Sequence, residues 1–142
     1  MTVKEYLRQV FKLDKQINSK IEMLSELNSL ATKCTQVLTG MPHNPSGSKH
    51  SMEDTIIKII TLQEEINKDI DTLVDLKTEI MHVISSVPDS DCRVLLEKRY
   101  LSFKTWEDIA EDMNYGLRYI HILHKKALAM AESFIGEDIQ TA

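Results

Sequence analysis

Glycine, proline and aromatic residues are scarce in this chain. Its 142 residues include four glycines and three prolines, and aromatic residues make up 6% of the sequence. A protein built from many short strands needs frequent turn residues, so this composition argues against a predominantly β fold. Two of the glycines and two of the prolines fall together in GMPHNPSGSKHS, residues 40–51. The sequence therefore predicts an all-α protein with a single loop in this segment.

Cysteines and long apolar runs are also few. Cys34 and Cys92 are the only cysteines, and their wide separation fits neither a zinc-binding spacing nor a disulfide framework. No apolar stretch reaches the roughly 18 to 20 residues that span a bilayer, and the first residues lack the apolar run of a signal peptide. We therefore expect a cytoplasmic protein that has no membrane partner.

Catalytic and metal-binding patterns are absent from the sequence. It has no glycine-rich phosphate loop, no Gly-x-Ser-x-Gly motif and no His-x-x-x-His pair. His121 and His124 are three positions apart, but no further Cys, His or carboxylate accompanies them in a metal-ligand spacing. The sequence thus predicts a protein that is not an enzyme, with no cofactor and no bound metal.

Positive charge is confined to one part of the chain. The formal net charge is −5, yet residues 92–131 contain seven basic and five acidic side chains. The segments before and after this one are both net acidic. A contact with nucleic acid, which requires local positive charge, is therefore expected only within residues 92–131.

Two long helices are predicted before this basic segment. Apolar residues recur in a heptad pattern over residues 3–40, and a second periodic run, which Ser51 would cap, extends over residues 51–87. Two such helices joined by a loop at 40–51 most simply form a long antiparallel coiled-coil hairpin. Its apolar face is wider than two helices can cover, so we expect the protein to form a homo-oligomer through residues 1–87.

Three shorter helices are predicted after Pro88. Asp89 or Ser90 can cap the first, and Thr105 can cap the second. Asn114 and Gly116 flank a short break before the third helix. These elements predict a compact three-helix unit of the helix-turn-helix type over residues 88–133 and a flexible acidic tail over residues 134–142.

This C-terminal region resembles a known DNA-binding unit. CRVLLEKRYLSFKTWEDIAEDMNYGLRYIHILHKKAL, residues 92–128, is similar to region 4 of bacterial sigma factors, whose pattern runs from a helix ending in RY to T-x-E-E-I-A and on to A-L. Together with the N-terminal coiled coil, it also resembles small phage and prophage proteins of Gram-positive bacteria, distantly like the ArpU-type and RinA-type late transcription regulators. The resemblance implies double-stranded DNA as partner and a bacterial host cell as location.

The resemblance also assigns roles to individual residues. It makes the segment from Gly116 to Met130 the recognition helix and places Lys104 near the DNA backbone. Arg118 and His121 would contact base edges or phosphates, and the lysines would neutralise phosphates, with His124 as a further candidate. The predicted DNA-binding residues are Lys104, Leu117, Arg118, His121, Ile122, Lys125 and Lys126.

Three functions fit these observations. The first is a transcription regulator that binds a promoter through the helix-turn-helix and uses the coiled coil for oligomerisation or for docking to RNA polymerase. The second is a small terminase subunit for DNA packaging, because such proteins also join a helix-turn-helix to an oligomerising hairpin. The third is a protein-only adaptor or inhibitor of RNA polymerase or of another regulator. Leu117 and Ile122 stand where sigma factors carry polar residues, and such side chains can also bury against a protein.

Overall fold

The computed structural model describes the backbone of residues 1–40 and 45–135 and the side chains of residues 1–33 and 52–135. These ranges contain no strand, which confirms the predicted all-α class. The five α-helices are α1 (Val3–Gly40), α2 (Pro45–Ser85), α3 (Ser90–Leu96), α4 (Trp106–Met113) and α5 (Leu117–Glu132), and a π-helical segment, Glu97–Leu101, follows α3 directly.

Helix α2 begins earlier than predicted. The sequence predicts a start at Ser51 and a loop over residues 40–51, but α2 starts at Pro45. Proline favours the first position of a helix, where its fixed φ is suitable and its missing N–H is not needed. The predicted loop is therefore wrong from Pro45 onward, and its residues 41–44 lie outside the described part of the chain.

Residues Asp14–Thr72 form one unit, which we call the hairpin unit. Ile17, Leu62 and Ile66 are its buried apolar side chains. Lys20, which interrupts the apolar heptad pattern, donates a hydrogen bond to Asp69 across the helix pair at 2.6 Å and lies 3.7 Å from Glu65. A polar contact at one seam position favours a single alignment of the two helices.

The second unit, here the core unit, consists of Met1–Leu13 and Leu73–Ala142. The predicted division after residue 87 assigned α1 and α2 entirely to a hairpin, whereas the beginning of α1 and the end of α2 pack with the short helices. Leu7, Ile84, Leu95, Ile109 and Ile120 come from five different helices and are each at most 1% exposed. One hydrophobic core thus holds α3, α4 and α5 against segments of both long helices.

Two further predictions concern the C-terminal end of the chain and the cysteines. Ile135, two residues after the predicted boundary at residue 133, packs into the core of this unit. The rest of the predicted acidic tail, residues 136–142, lies outside the described residues. Cys92 is a buried free thiol, as expected, whereas the side chain of Cys34 is not among those described.

Among the helices of residues 1–40 and 45–135, none has the length and the hydropathy of a transmembrane helix.

Candidate nucleic-acid interface

Local hydrogen bonds explain where α4 and α5 begin and end. Thr105 caps α4, because its Oγ1 accepts a hydrogen bond from the Asp108 N–H at 3.2 Å. Asn114 ends α4 in the left-handed conformation, with a φ of 59°. Gly116 then enters α5 in an extended conformation without a side-chain cap. The predicted cap, break and second helix are therefore confirmed.

One face of α5 anchors the helix to the core unit. Ile120, Leu123, Ala127 and Ala131 are buried, and they recur at intervals of three or four residues. Ile109 and Ala110 of α4 are buried in the same core. Packing on this side determines which side chains of α5 face outward.

The outward face contains a shallow depression. Five side chains line it: Leu117, Arg118, His121, Ile122 and Lys125. All five are among the predicted DNA-binding residues, and all five are exposed. The structure thus brings together five of the seven predicted residues on just over two turns of helix, where a flat or convex partner can reach them. We call this surface the α5 depression.

Two cations of the α5 depression have no competing carboxylate. Within the described side chains, neither Arg118 nor Lys125 forms a salt bridge. An exposed cation that is not already neutralised can contribute its full charge to an anionic partner. The depression therefore presents two available positive charges beside His121.

The remaining two predicted residues are engaged elsewhere. Lys126 lies 3.2 Å from Asp89, and this hydrogen bond lowers the pKa of the Asp89 carboxyl below its usual value. Lys104 lies 2.6 Å from Asp112, and this contact raises the pKa of the lysine. Contact with any other anion would require each lysine to give up its carboxylate partner, so both are less available than Lys125.

His124 does not serve as a surface cation. It is 7% exposed, and its Nε2 lies 2.6 Å from the Tyr100 hydroxyl. Burial, with a smaller contribution from Lys4 and Arg99, lowers the pKa of His124 to about 4. The prediction that His124 could neutralise phosphate is therefore wrong. The sequence held a signal for this burial, because His124 lies four residues after Ile120 and three before Ala127 on the inward face.

An aromatic cluster connects the α5 depression to the interior of the core unit. The ring of Trp106 lies 5.0 Å from that of His121 and 4.6 Å from that of His124, measured between centroids. The guanidinium of Arg99 lies 4.4 Å from the centre of the Trp106 ring. Trp106 is thus partly buried between three neighbours.

The segment before α4 carries two unusual backbone features. Arg99 and Tyr100 lie in the π-helical segment, a conformation that is rare and is often found at functional sites. Phe103 has a φ of 58°, which for a bulky residue costs about 1 to 2 kcal/mol. The sequence analysis missed this segment, because neither feature has a recognisable residue pattern.

The comparisons with known proteins concern the family of the chain. Neither a curated protein nor a solved structure matches it. A family model described as "Protein of unknown function (DUF1492)" matches residues 41–131, which is more than half of the sequence. The match includes all of α2, α3, the π-helical segment and α4, and all of α5 except its last residue. The chain belongs to the DUF1492 family.

Proposed function

We propose that this protein binds double-stranded DNA through the α5 depression and regulates transcription at a phage-type promoter. The observation that carries the proposal is the clustering of Leu117, Arg118, His121, Ile122 and Lys125 on one exposed surface. The resemblance to region 4 of sigma factors assigns the same five positions to the face of a recognition helix. A helix that presents its first turns in this way can enter a major groove.

The two exposed cations have different expected roles. Arg118 lies near the start of α5, where recognition helices contact base edges, and a guanidinium can donate two hydrogen bonds to guanine. Lys125 lies two turns later, where its ammonium can reach a backbone phosphate. Ile122, which is 57% exposed between them, can contact a thymine methyl group.

Substitution of Lys125 tests the electrostatic part of the proposal. DNA ligands are selected from a random duplex library, and affinities are measured by fluorescence anisotropy at several salt concentrations. Lys125→Ala should weaken binding to all duplexes alike and reduce the slope of log affinity against log salt by about one, because one fewer phosphate is neutralised. Lys126→Ala is the matched control, and it should change the slope less because Asp89 already pairs with Lys126.

Substitution of Arg118 tests sequence recognition in the same assay. Arg118→Ala should cost about 1 to 3 kcal/mol on the selected duplex and much less on an unrelated one, because a base-edge donor is lost. Equal losses on both duplexes would assign Arg118 to the backbone only. If no duplex binds even at low salt, DNA binding is ruled out.

A protein partner at the same surface is the second candidate function. Leu117 is 42% exposed, and Ile122 is more exposed still. Tyr115 and Tyr119, whose ring centres are 4.8 Å apart, extend the exposed apolar area at the start of α5. Apolar and aromatic side chains of this kind are typical of the centre of protein interfaces. An adaptor that binds RNA polymerase or another regulator would use these residues, and it would show no salt-dependent DNA binding.

We further propose that the hairpin unit forms the homo-oligomer. Ile57 is 62% exposed, and Met23 and Ile60 are each at least half exposed. Met23, Leu27, Ile57 and Leu62 contribute to one shallow apolar depression on this unit. Contiguous exposed apolar surface of this kind usually marks an interaction site.

Charge placed on this surface should dissociate the oligomer. The double variant Ile57→Glu/Ile60→Glu should be monomeric at micromolar concentration, because burying two carboxylates in an apolar interface is strongly unfavourable. Gln63→Glu adds charge at another exposed position of α2 and should leave the mass of the oligomer unchanged. Light scattering after gel filtration measures the mass of the oligomer. A wild-type monomer would contradict the proposal, a dimer would fit the regulator, and a ring of eight or more copies would favour the terminase alternative.

A further inference from the structure

A second cavity lies within the core unit, apart from the α5 depression. It has a volume of about 310 Å³, within the range of small-molecule sites. It is lined by the beginning of α1, the π-helical segment, the strained turn at Phe103 and the start of α4. The lining residues are Lys4, Arg8, Phe11, Arg99, Tyr100, Phe103, Thr105 and Trp106. We call it the basic-aromatic pocket.

The charges of the pocket are all of one sign. Lys4, Arg8 and Arg99 provide three cations, and no acidic side chain among residues 1–33 and 52–135 lines the cavity. Within the described side chains, none of the three cations forms a salt bridge. Arg99 donates a hydrogen bond to the Lys104 carbonyl oxygen at 2.9 Å, which positions its guanidinium without neutralising it. Three cations held together without a counterion favour a ligand with more than one negative charge.

The cations of the pocket also affect the pKa values of two buried side chains, His124 and Tyr100. Lys4 and Arg99 both contribute to the lowered pKa of the buried His124. Burial raises the pKa of Tyr100 to about 12, and the positive charges of Arg99 and Arg8 partly oppose this increase. The two shifts agree with the geometry in placing these cations around one space.

The rest of the lining is aromatic. Phe11 and Phe103 meet edge to face, with ring centres 5.5 Å apart. Trp106 lies under Arg99, and the Thr105 hydroxyl is a further polar group at the rim. Aromatic walls fit a planar apolar body, whereas arginines match the geometry of phosphate oxygens. Inorganic phosphate alone could contact the cations but could not cover the aromatic side chains that line the rest of the cavity.

We propose that the basic-aromatic pocket binds a small phosphorylated nucleoside, with its phosphates at Lys4, Arg8 and Arg99 and its base against the aromatic walls. The strained Phe103 backbone and the π-helical segment hold two sides of this site in place. Trp106 lines this pocket and also contacts His121 of the α5 depression. The bound nucleotide would therefore contact a side chain that packs against the surface that we propose for DNA. Only this last connection rests on the proposed function.

The single tryptophan of the chain gives a direct test. Trp106 lines the pocket, so nucleotide binding should change its fluorescence, and no other tryptophan contributes to the signal. The full-length protein is titrated with nucleoside mono- and triphosphates of all four bases, and separately with the nucleosides and with inorganic phosphate. We expect at least one nucleotide to bind at least about tenfold more tightly than its nucleoside or phosphate alone, because each of these lacks half of the recognised groups.

Charge-removing variants on α1 separate this site from general anion binding. Arg8→Gln should weaken nucleotide binding at least about tenfold, because a charged hydrogen-bond donor is lost. Lys12→Gln removes the same charge one turn later at an exposed position outside the pocket, and should change affinity less than about twofold. Lys4→Gln provides a second pocket variant should Arg8→Gln fail to fold.

Three results would overturn the proposal: no fluorescence change with any nucleotide at about millimolar concentration, equal affinity for inorganic phosphate or for the nucleoside, or equal losses in Arg8→Gln and Lys12→Gln. None of these measurements contains DNA. Failure of the proposed DNA binding would therefore leave this test intact, and failure of nucleotide binding would leave the anisotropy measurements intact.

Discussion

Ile120→Ala should reduce the free energy of unfolding by about 2 to 5 kcal/mol, while Ile122→Ala on the same helix changes it by less than about 0.5 kcal/mol. The Ile120 side chain is fully buried between α5 and the core, so truncation removes apolar contacts and leaves a cavity. Ile122 is mostly exposed and has no such contacts to lose.

The pair forms a matched control. Both variants replace isoleucine by alanine within α5, so the change in helix propensity is the same in both and cancels in the comparison. Urea denaturation followed by circular dichroism measures the difference. Similar losses in the two variants would contradict the assignment of the inward and outward faces of α5, and with it the position of the α5 depression. Ile122→Ala also gives a folded protein in which loss of partner binding can be interpreted.

Acidification should destabilise the protein through His124. Its folded-state pKa of about 4 lies below the usual 6.5, because burial disfavours the charged imidazolium. Between these two values the unfolded chain binds a proton that the folded protein does not, so stability falls as the pH falls. Between about pH 7.5 and about pH 4.5 the loss from this group amounts to about 2.5 kcal/mol. Below the folded-state pKa both states are protonated, and the contribution of His124 to the pH dependence ends.

The measurement is the pH dependence of unfolding in wild type and in His124→Gln. Carboxyl groups contribute nearly equally to the pH dependence of stability in both proteins, so the difference between the two slopes measures the contribution of His124. We expect the variant to lose less stability on acidification, even where its stability at neutral pH is lower. An NMR titration of His124 in the wild-type protein is an independent measurement, and a midpoint near pH 6.5 would contradict the prediction.

The helix ends illustrate what can be predicted from sequence. Thr105 and Asn114 were predicted as caps, Asp89 was one of two candidates for the cap of α3, and each occupies a predicted position. Capping depends on hydrogen bonds between a side chain and backbone groups two or three residues away, so distant packing has little influence on it. Pro45 was read only as a helix breaker, and the alternative role of proline as a first helical residue was missed.

The candidate site shows where such reasoning ends. The outward face of α5 followed from helical periodicity and the sigma-like resemblance, which named all five residues of the depression. Periodicity gives the direction of a side chain but not its partner. The sequence therefore does not distinguish Lys126 and Lys104 from Lys125 as candidate phosphate contacts. The structure does, because it pairs them with Asp89 and Asp112.

By itself the sequence determined the all-α class, the ends of the short helices and the exposed side of α5, because each depends on local hydrogen bonding or on the 3.6-residue helical period. The tertiary structure alone decided that the beginning of α1 packs with the short helices and brings Lys4 and Arg8 into one cavity with Arg99, about 90 positions later in the chain. It also decided that His124 is neutral and buried against Tyr100. Long-range packing of this kind reflects which apolar surfaces cover one another, and no spacing within a single helix records that choice.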